Sequence, residues 1–222
     1  MTHDPTRLAP LSGQPPRRLV MLLHGYGSSG VEMMPLAAEW QAVLPDAAFH
    51  APNAPEVAEG EAGLCWAPRR SARDGRLAGE IAAAGLGVED LCAAELARLG
   101  LPASALALVG FSQGAVLALR VGLLRATAPA AVLAYGGGLV GRARLAEEIR
   151  SRPPVLLVNG EGDELAPVSG LGPALEALRA LDVMAEGVAL PGLGHEIDGR
   201  AIALGGRFLA SAFAYADRLA AS

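Results

Sequence analysis

The sequence predicts an α/β fold: one doubly wound, mostly parallel sheet with helices on both faces and no large lid domain. Three observations carry this. Short apolar runs recur along the chain without polar alternation, the pattern of strands buried on both faces. Longer segments with helical spacing separate them, and small-residue turns join the two kinds, as in a parallel sheet built from strand–helix units. With 222 residues, 52% hydrophobic and only 18% charged, the chain is long enough to bury a sizeable core as a single domain over residues 1–222.

In chain order, residues 1–17 read as an extended or frayed segment. The first strand is Leu19–Leu23 (LVMLL), followed by a glycine-rich loop and a helix over Met33–Leu44. Ala47–Ala51 (AAFHA) is the second strand. Pro52–Arg76 then breaks the rhythm with three prolines, several glycines, Cys65, Trp66 and a cluster of arginines, and a long ordered loop of this kind usually serves function. Leu77–Leu99 is helical, Leu106–Val109 (LALV) a strand, and Gln113–Thr127 a helix. The remaining strands are Ala131–Tyr135, Val155–Val158 and Glu186–Leu190, with helices at Arg142–Arg150, Val168–Leu181 and Ala201–Leu219.

Composition removes several function classes. The net charge of −5 is mild and no basic stripe is present, so neither nucleic acid nor an anionic membrane is an expected partner. All 18 basic residues are Arg, which excludes a Lys nucleophile, a Lys Schiff base and the P-loop lysine. Cys65 and Cys92 lack metal spacing and read as reduced thiols. Met1–Arg18 carries no secretory signal pattern and no run is long enough to span a bilayer, so a cytoplasmic protein without stable membrane insertion is expected.

In a parallel sheet, ligands gather beyond the carboxyl ends of the strands, which makes four post-strand segments informative. Gly110-Phe111-Ser112-Gln113-Gly114 lies between the strand LALV and a helix. GxSxG there is the sharp turn that holds a serine Oγ up at the sheet edge. Gly194-His195-Glu196 follows the last strand on a glycine-flanked loop, and a positioned imidazole is what makes a serine hydroxyl nucleophilic. Asn159-Gly160-Glu161-Gly162-Asp163-Glu164 follows VLLV and offers the carboxylate that fixes the imidazole tautomer. Asp163, deepest in the turn and just before Ala166-Pro167, is preferred over Glu161 and Glu164, which suit a solvated turn or a helix N-terminus. The chain order Ser112, Asp163, His195 is that of the α/β-hydrolase fold. The fourth segment, His24-Gly25-Tyr26-Gly27-Ser28-Ser29-Gly30, can turn a backbone N–H toward a developing oxyanion. The two donors would be the N–H groups of Tyr26 and Gln113, with His24 bracing the loop.

That loop also spells Gly25-x-Gly27-x-x-Gly30, the dinucleotide-binding fingerprint, so an oxidoreductase is the distant alternative. It lacks the acidic residue expected at the end of the second strand, where Pro52-Asn53 stands, and Asp46 lies before that strand on the wrong edge. It also leaves GFSQG, the acid turn and His195 unexplained.

Taken together, LLHGYGSSG, APNAP, the Trp66 excursion, LALVGFSQGAVLAL, NGEGDELAPV and LPGLGHEI resemble the phospholipase/carboxylesterase family. This is a group of small α/β-hydrolases that includes bacterial carboxylesterases and acyl-protein thioesterases, and the resemblance runs from about Leu19 to Leu219. It implies hydrolysis of carboxylic esters or thioesters by the triad Ser112, Asp163 and His195, with backbone donors at Tyr26 and Gln113 and no metal or organic cofactor. The same triad acting on amide or peptide bonds is the alternative, because a triad does not choose its leaving group. Two departures bear on substrate choice. Trp66 is followed by Ala67-Pro68-Arg69-Arg70 where relatives often carry an aromatic–acid pair, and the acid turn reads GEGD where a histidine often opens it. Trp66 either lines the acyl pocket, as a substrate-binding residue, or packs the loop onto the sheet. Arg69, Arg70, Arg73 and Arg76 offer either an attraction for acidic substrates or a solvated face. An apolar rim around a lidless site would accommodate a homodimer.

Overall fold

A computed structural model describes residues 4, 6–68 and 76–220 of the chain. Seven strands form the main sheet: β1 (Arg7–Leu8), β2 (Arg18–Leu23), β3 (Ala47–His50), β6 (Leu106–Phe111), β7 (Ala131–Tyr135), β8 (Val155–Gly160) and β9 (Ala185–Leu190), in the spatial order β1-β3-β2-β6-β7-β8-β9. All neighbours pair in parallel except β1, which runs antiparallel to β3 at the edge. A separate hairpin, β4 (Glu56–Val57) with β5 (Leu64–Cys65), stands in the long excursion. The helices are α1 (Gly30–Trp40), α2 (Leu77–Leu99), α3 (Gln113–Leu124), α4 (Arg142–Glu148), α5 (Leu171–Arg179) and α6 (Gly199–Ala220). Among the described residues no helix is long and apolar enough to cross a membrane.

The unbroken apolar runs follow from burial of both sheet faces. Leu19, Met21 and Leu23 of β2 join Leu106 and Leu108 of β6 in one core, against Ile81, Val88 and Cys92 of α2 and Leu117 and Leu119 of α3. The intervening Val20 and Leu22 join Ala107 and Val109 in the other, against Met33, Leu36 and Trp40 of α1 and Leu209 and Phe213 of α6. Every second residue thus faces a different helix layer, and a polar residue would be buried on either side. Both cysteines are free and buried, and burial pushes the Cys92 thiol up to about 12.

The chain reverses its direction of travel across the sheet between β2 and β6. From β2 it moves outward to β3, then returns through α2 to β6 on the other side. The carboxyl ends of β2 and β6 lie side by side there, with Leu23 paired to Gly110, and such a reversal opens a crevice.

Several boundaries depart from the sequence reading, each for a local reason. The N-terminal segment is not simply frayed: Thr6 to Leu8 is tied down by β1 and by an ion pair from Arg7 Nε to Glu95 Oε1 at 3.3 Å. Helix α1 begins at Gly30 rather than Met33 because the Asn53 side chain, from beyond the next strand, accepts the Gly30 N–H at 2.8 Å. The segment Val168–Leu181 is split, a 3-10 turn at Val168–Gly170 preceding α5, where Gly170, Gly172 and Pro173 weaken a single helix. Helix α6 starts two residues early because Asp198 Oδ1 accepts the Ala201 N–H at 2.9 Å. Arg69, Arg70 and Arg73 lie outside the described residues, and Arg76 is the N-cap of α2.

Two buried histidines give the fold a dependence on pH. His50 is 5% exposed beside Glu95, Arg7 and Arg98, and His24 is fully buried. Burial, the largest cause in both, holds their pKa values below the usual 6.5. As pH falls below 6.5 the unfolded chain takes up these protons ahead of the folded chain, so stability is expected to drop there. The check is the melting temperature between pH 7.5 and 5.5, for wild type and for His50→Gln, whose profile should be flatter. Parallel profiles would remove His50 from the explanation.

Candidate active site

Ser112 stands at the junction of β6 and α3 with φ 54° and ψ −116°, a left-handed conformation rare for a residue with a Cβ. Such strain persists only where the surroundings over-determine it, and here they do. The Ser112 N–H donates to the Tyr135 carbonyl of β7 at 2.9 Å, and its own carbonyl accepts the Ala115 N–H at 3.0 Å. The two motif glycines have steric reasons. A Cβ on Gly110 would lie 2.1 Å from the Gly114 carbonyl oxygen, and one on Gly114 would lie 2.0 Å from that of Leu23. We expect Gly114→Ala to cost about 1–3 kcal/mol, or several degrees of melting temperature, because backbone rather than a flexible side chain must yield. Unchanged thermal stability would mean that the turn is looser than this geometry.

The acid and base loops are joined to each other. The Glu161 and Gly162 N–H groups donate to the carbonyls of Leu190 and Leu193 at 3.0 and 2.9 Å, and Gly160 passes so close that a Cβ would lie 2.2 Å from the Leu193 oxygen. Within this clasp His195 Nδ1 lies 2.7 Å from Asp163 Oδ2, and its Nε2 lies 2.9 Å from Ser112 Oγ. The Asp163 side chain is fully buried, and its other oxygen accepts the N–H groups of Leu165 and Ala166 at 2.9 and 2.7 Å. Glu161 and Glu164 are exposed. The Phe111 ring packs against the imidazole at 4.8 Å between centroids. Gly136, at φ 53°, leaves room beside it, since a Cβ there would crowd His195, Phe111 and Asp163 at 3.2–3.3 Å.

The glycine-rich loop after β2 is fixed from beneath by His24. Its Nδ1 donates to the Gly25 carbonyl at 2.8 Å while Nε2 accepts the Ala54 N–H at 3.0 Å, which sets a neutral tautomer consistent with its lowered pKa. Tyr26 follows, its hydroxyl donating to the Glu59 carbonyl at 3.1 Å. Gln113 is the first residue of α3, and the first N–H groups of a helix have no intrahelical acceptor. Trp66 is buried; its indole N–H donates to the His24 carbonyl at 2.9 Å, and it also lines a cavity of about 540 Å³ with Asn53, Pro55, Pro68 and Leu91. A part that sequence reasoning missed is the Gln113 side chain, which accepts the Trp66 N–H at 2.7 Å and donates to the Ala67 carbonyl at 2.7 Å. No local spacing signals a contact 47 residues away.

A dinucleotide does not suit the glycine loop. Pyrophosphate binding needs its backbone N–H groups, yet Gly27 donates to the Leu64 carbonyl at 2.9 Å and Gly30 to Asn53 Oδ1 at 2.8 Å. The excursion also crosses directly over the loop, with Gly63 so close that a Cβ would lie 2.1 Å from the Gly27 oxygen.

Comparisons with known proteins point the same way. A family model described as phospholipase/carboxylesterase matches residues 11–212. The crystal structure of esterase PE8 shares 38% identity and superimposes with a TM-score of 0.87, over 92% of this chain and 96% of that one. Esterase YpfH of Escherichia coli (strain K12) is 29% identical over 193 residues, 85% of this chain and 80% of the relative. Arabidopsis thaliana SOBER1, at 21% identity and a TM-score of 0.77 over 88% and 99% of the two chains, shares the fold.

Proposed function

The chain belongs to the phospholipase/carboxylesterase family, and from that premise we propose that it hydrolyses carboxylic esters or thioesters through an acyl-enzyme on Ser112. His195 removes the Ser112 proton as Oγ attacks the acyl carbonyl. Asp163 holds the imidazole with Nδ1–H inward, so that Nε2 is free to accept, and stabilises the imidazolium that forms. The tetrahedral oxyanion is received by the backbone N–H groups of Tyr26 and Gln113. His195 then protonates the departing alcohol or thiol, and a water activated by the same imidazole releases the acid and restores Ser112. The observation that carries this reading is the continuous link from buried Asp163 through His195 to Ser112, 2.7 and 2.9 Å long, at the mouth of the β2–β6 crevice.

The test pairs turnover with labelling. p-Nitrophenyl esters of increasing acyl length, with matched thioesters, should be hydrolysed with a chain-length optimum. A fluorophosphonate should phosphonylate Ser112, lose fluoride and abolish turnover in proportion to labelling. Labelling at another residue, or turnover that survives complete labelling of Ser112, would overturn the assignment.

A further inference from the structure

The mechanism requires two backbone donors that follow different strands, Tyr26 in the loop after β2 and Gln113 at the start of α3 after β6. Each donor is useful only at hydrogen-bond distance from one oxygen atom, so the spacing between the loops matters as much as the geometry of either. The strand register aligns Leu23 with Gly110, but both donors lie past the end of this pairing. The excursion after β3 bridges the gap.

Its contacts run in series. The Gln113 carboxamide oxygen accepts the N–H groups of Trp66 and Ala67 at 2.7 and 3.3 Å, while its Nε2 donates to the Ala67 carbonyl at 2.7 Å. The Trp66 indole N–H donates to the carbonyl of His24 at 2.9 Å. His24 is bonded in turn to the carbonyl of Gly25, directly before Tyr26. On the far side of Tyr26, the Gly27 N–H is accepted by Leu64, two residues before Trp66. The residue that supplies one donor therefore grips, with its side chain, the segment that holds both ends of the loop supplying the other. Resting on the function proposed above, we propose that the side chains of Gln113 and Trp66 form a strut that sets the spacing of the two oxyanion donors, which makes Trp66 a positioning residue and gives the Gln113 carboxamide a positioning role beside the donor on its own backbone.

A strut of this kind affects the transition state more than the bound ester, because the charge it serves develops only during attack. Displacement by a fraction of an ångström to one ångström is enough to cost on the order of tenfold to hundredfold in rate. Gln113→Met keeps the length and apolar stem of the side chain but removes all three hydrogen bonds, and kcat should fall about tenfold to hundredfold with KM within about threefold. Trp66→Phe keeps a ring in place and removes only the bond to His24, so a smaller fall in kcat is expected. The double variant should lose less than the product of the single losses, because both act through one connection. Inhibition by a trifluoromethyl ketone, which forms a tetrahedral adduct on the serine, should weaken in step with kcat/KM.

A merely structural pair would change melting temperature or KM and leave kcat unmoved. Wild-type kcat in folded Gln113→Met would overturn the strut, and so would a loss carried wholly by KM. If Gln113→Met does not fold, Trp66→Phe decides by the same two readouts. Ser112→Ala, measured alongside, separates the two levels: wild-type turnover in that variant would overturn the hydrolase reading and the strut with it.

Discussion

Replacing Ser112 with alanine should lower kcat on p-nitrophenyl esters by roughly four to six orders of magnitude, since removing the nucleophile disables His195 and Asp163 at the same time. What remains in such a variant is the oxyanion site and substrate binding, which still leave turnover roughly 10³–10⁴-fold above the uncatalysed rate. The protein should stay folded. Ser112 Oγ makes one hydrogen bond, to His195 Nε2, and its net contribution to stability is about 0.5–1.5 kcal/mol. The backbone anchors at Ser112, its N–H to Tyr135 and its carbonyl to Ala115, do not involve the side chain. Alanine retains the strain of φ 54°, whereas Ser112→Gly would relieve about 1–3 kcal/mol of it and lose part of that to unfolded-state entropy. The glycine variant is therefore expected to melt at or above the alanine variant, equally inactive. Turnover within tenfold of wild type in folded Ser112→Ala would remove Ser112 from the chemistry.

Much of the architecture was legible because parallel sheets buried on both faces leave a strong one-dimensional trace. The six apolar runs coincide with six of the seven strands of the main sheet, and α2 falls on Leu77–Leu99 as its spacing predicts. The candidate site was legible for a related reason. Glycines at 110, 114 and 160 are demanded by backbone contacts near 2 Å, and such demands are written directly into sequence. What escaped were contacts made at long range by short pieces. β1, β4 and β5 are two residues each, too short for any period to register. Asn53 caps a helix that starts 23 residues earlier, and the Gln113 carboxamide reaches the excursion across 47. The sequence leaves Trp66 open between lining the acyl pocket and packing its loop onto the sheet. In the structure its indole N–H is committed to the His24 carbonyl, which ties the loop down, and the residue also borders a cavity beside α2.

The second large effect is expected at Asp163, and it discriminates among the three acids of the turn. In Asp163→Asn the side-chain oxygen can still accept the N–H groups of Leu165 and Ala166, so the turn should hold its shape. The amide NH₂ then faces His195 Nδ1, where the carboxylate had accepted a hydrogen bond from Nδ1–H. The imidazole answers by carrying its proton on Nε2, the atom 2.9 Å from Ser112 Oγ, and in that tautomer it cannot take the serine proton. A loss of about 10⁴-fold in kcat with little change in KM follows. Asp163→Ala should be comparably inactive but less stable, because it strips the acceptor from two N–H groups beside a fully buried side chain, at about 1–3 kcal/mol. Glu161→Gln and Glu164→Gln alter exposed groups and should keep near-wild-type turnover. If Glu161→Gln were the damaging change and Asp163→Asn mild, the carboxylate that orients His195 during turnover would have to come from Glu161, and the acid loop would have to rearrange against both backbone bonds that now tie it to Leu190 and Leu193.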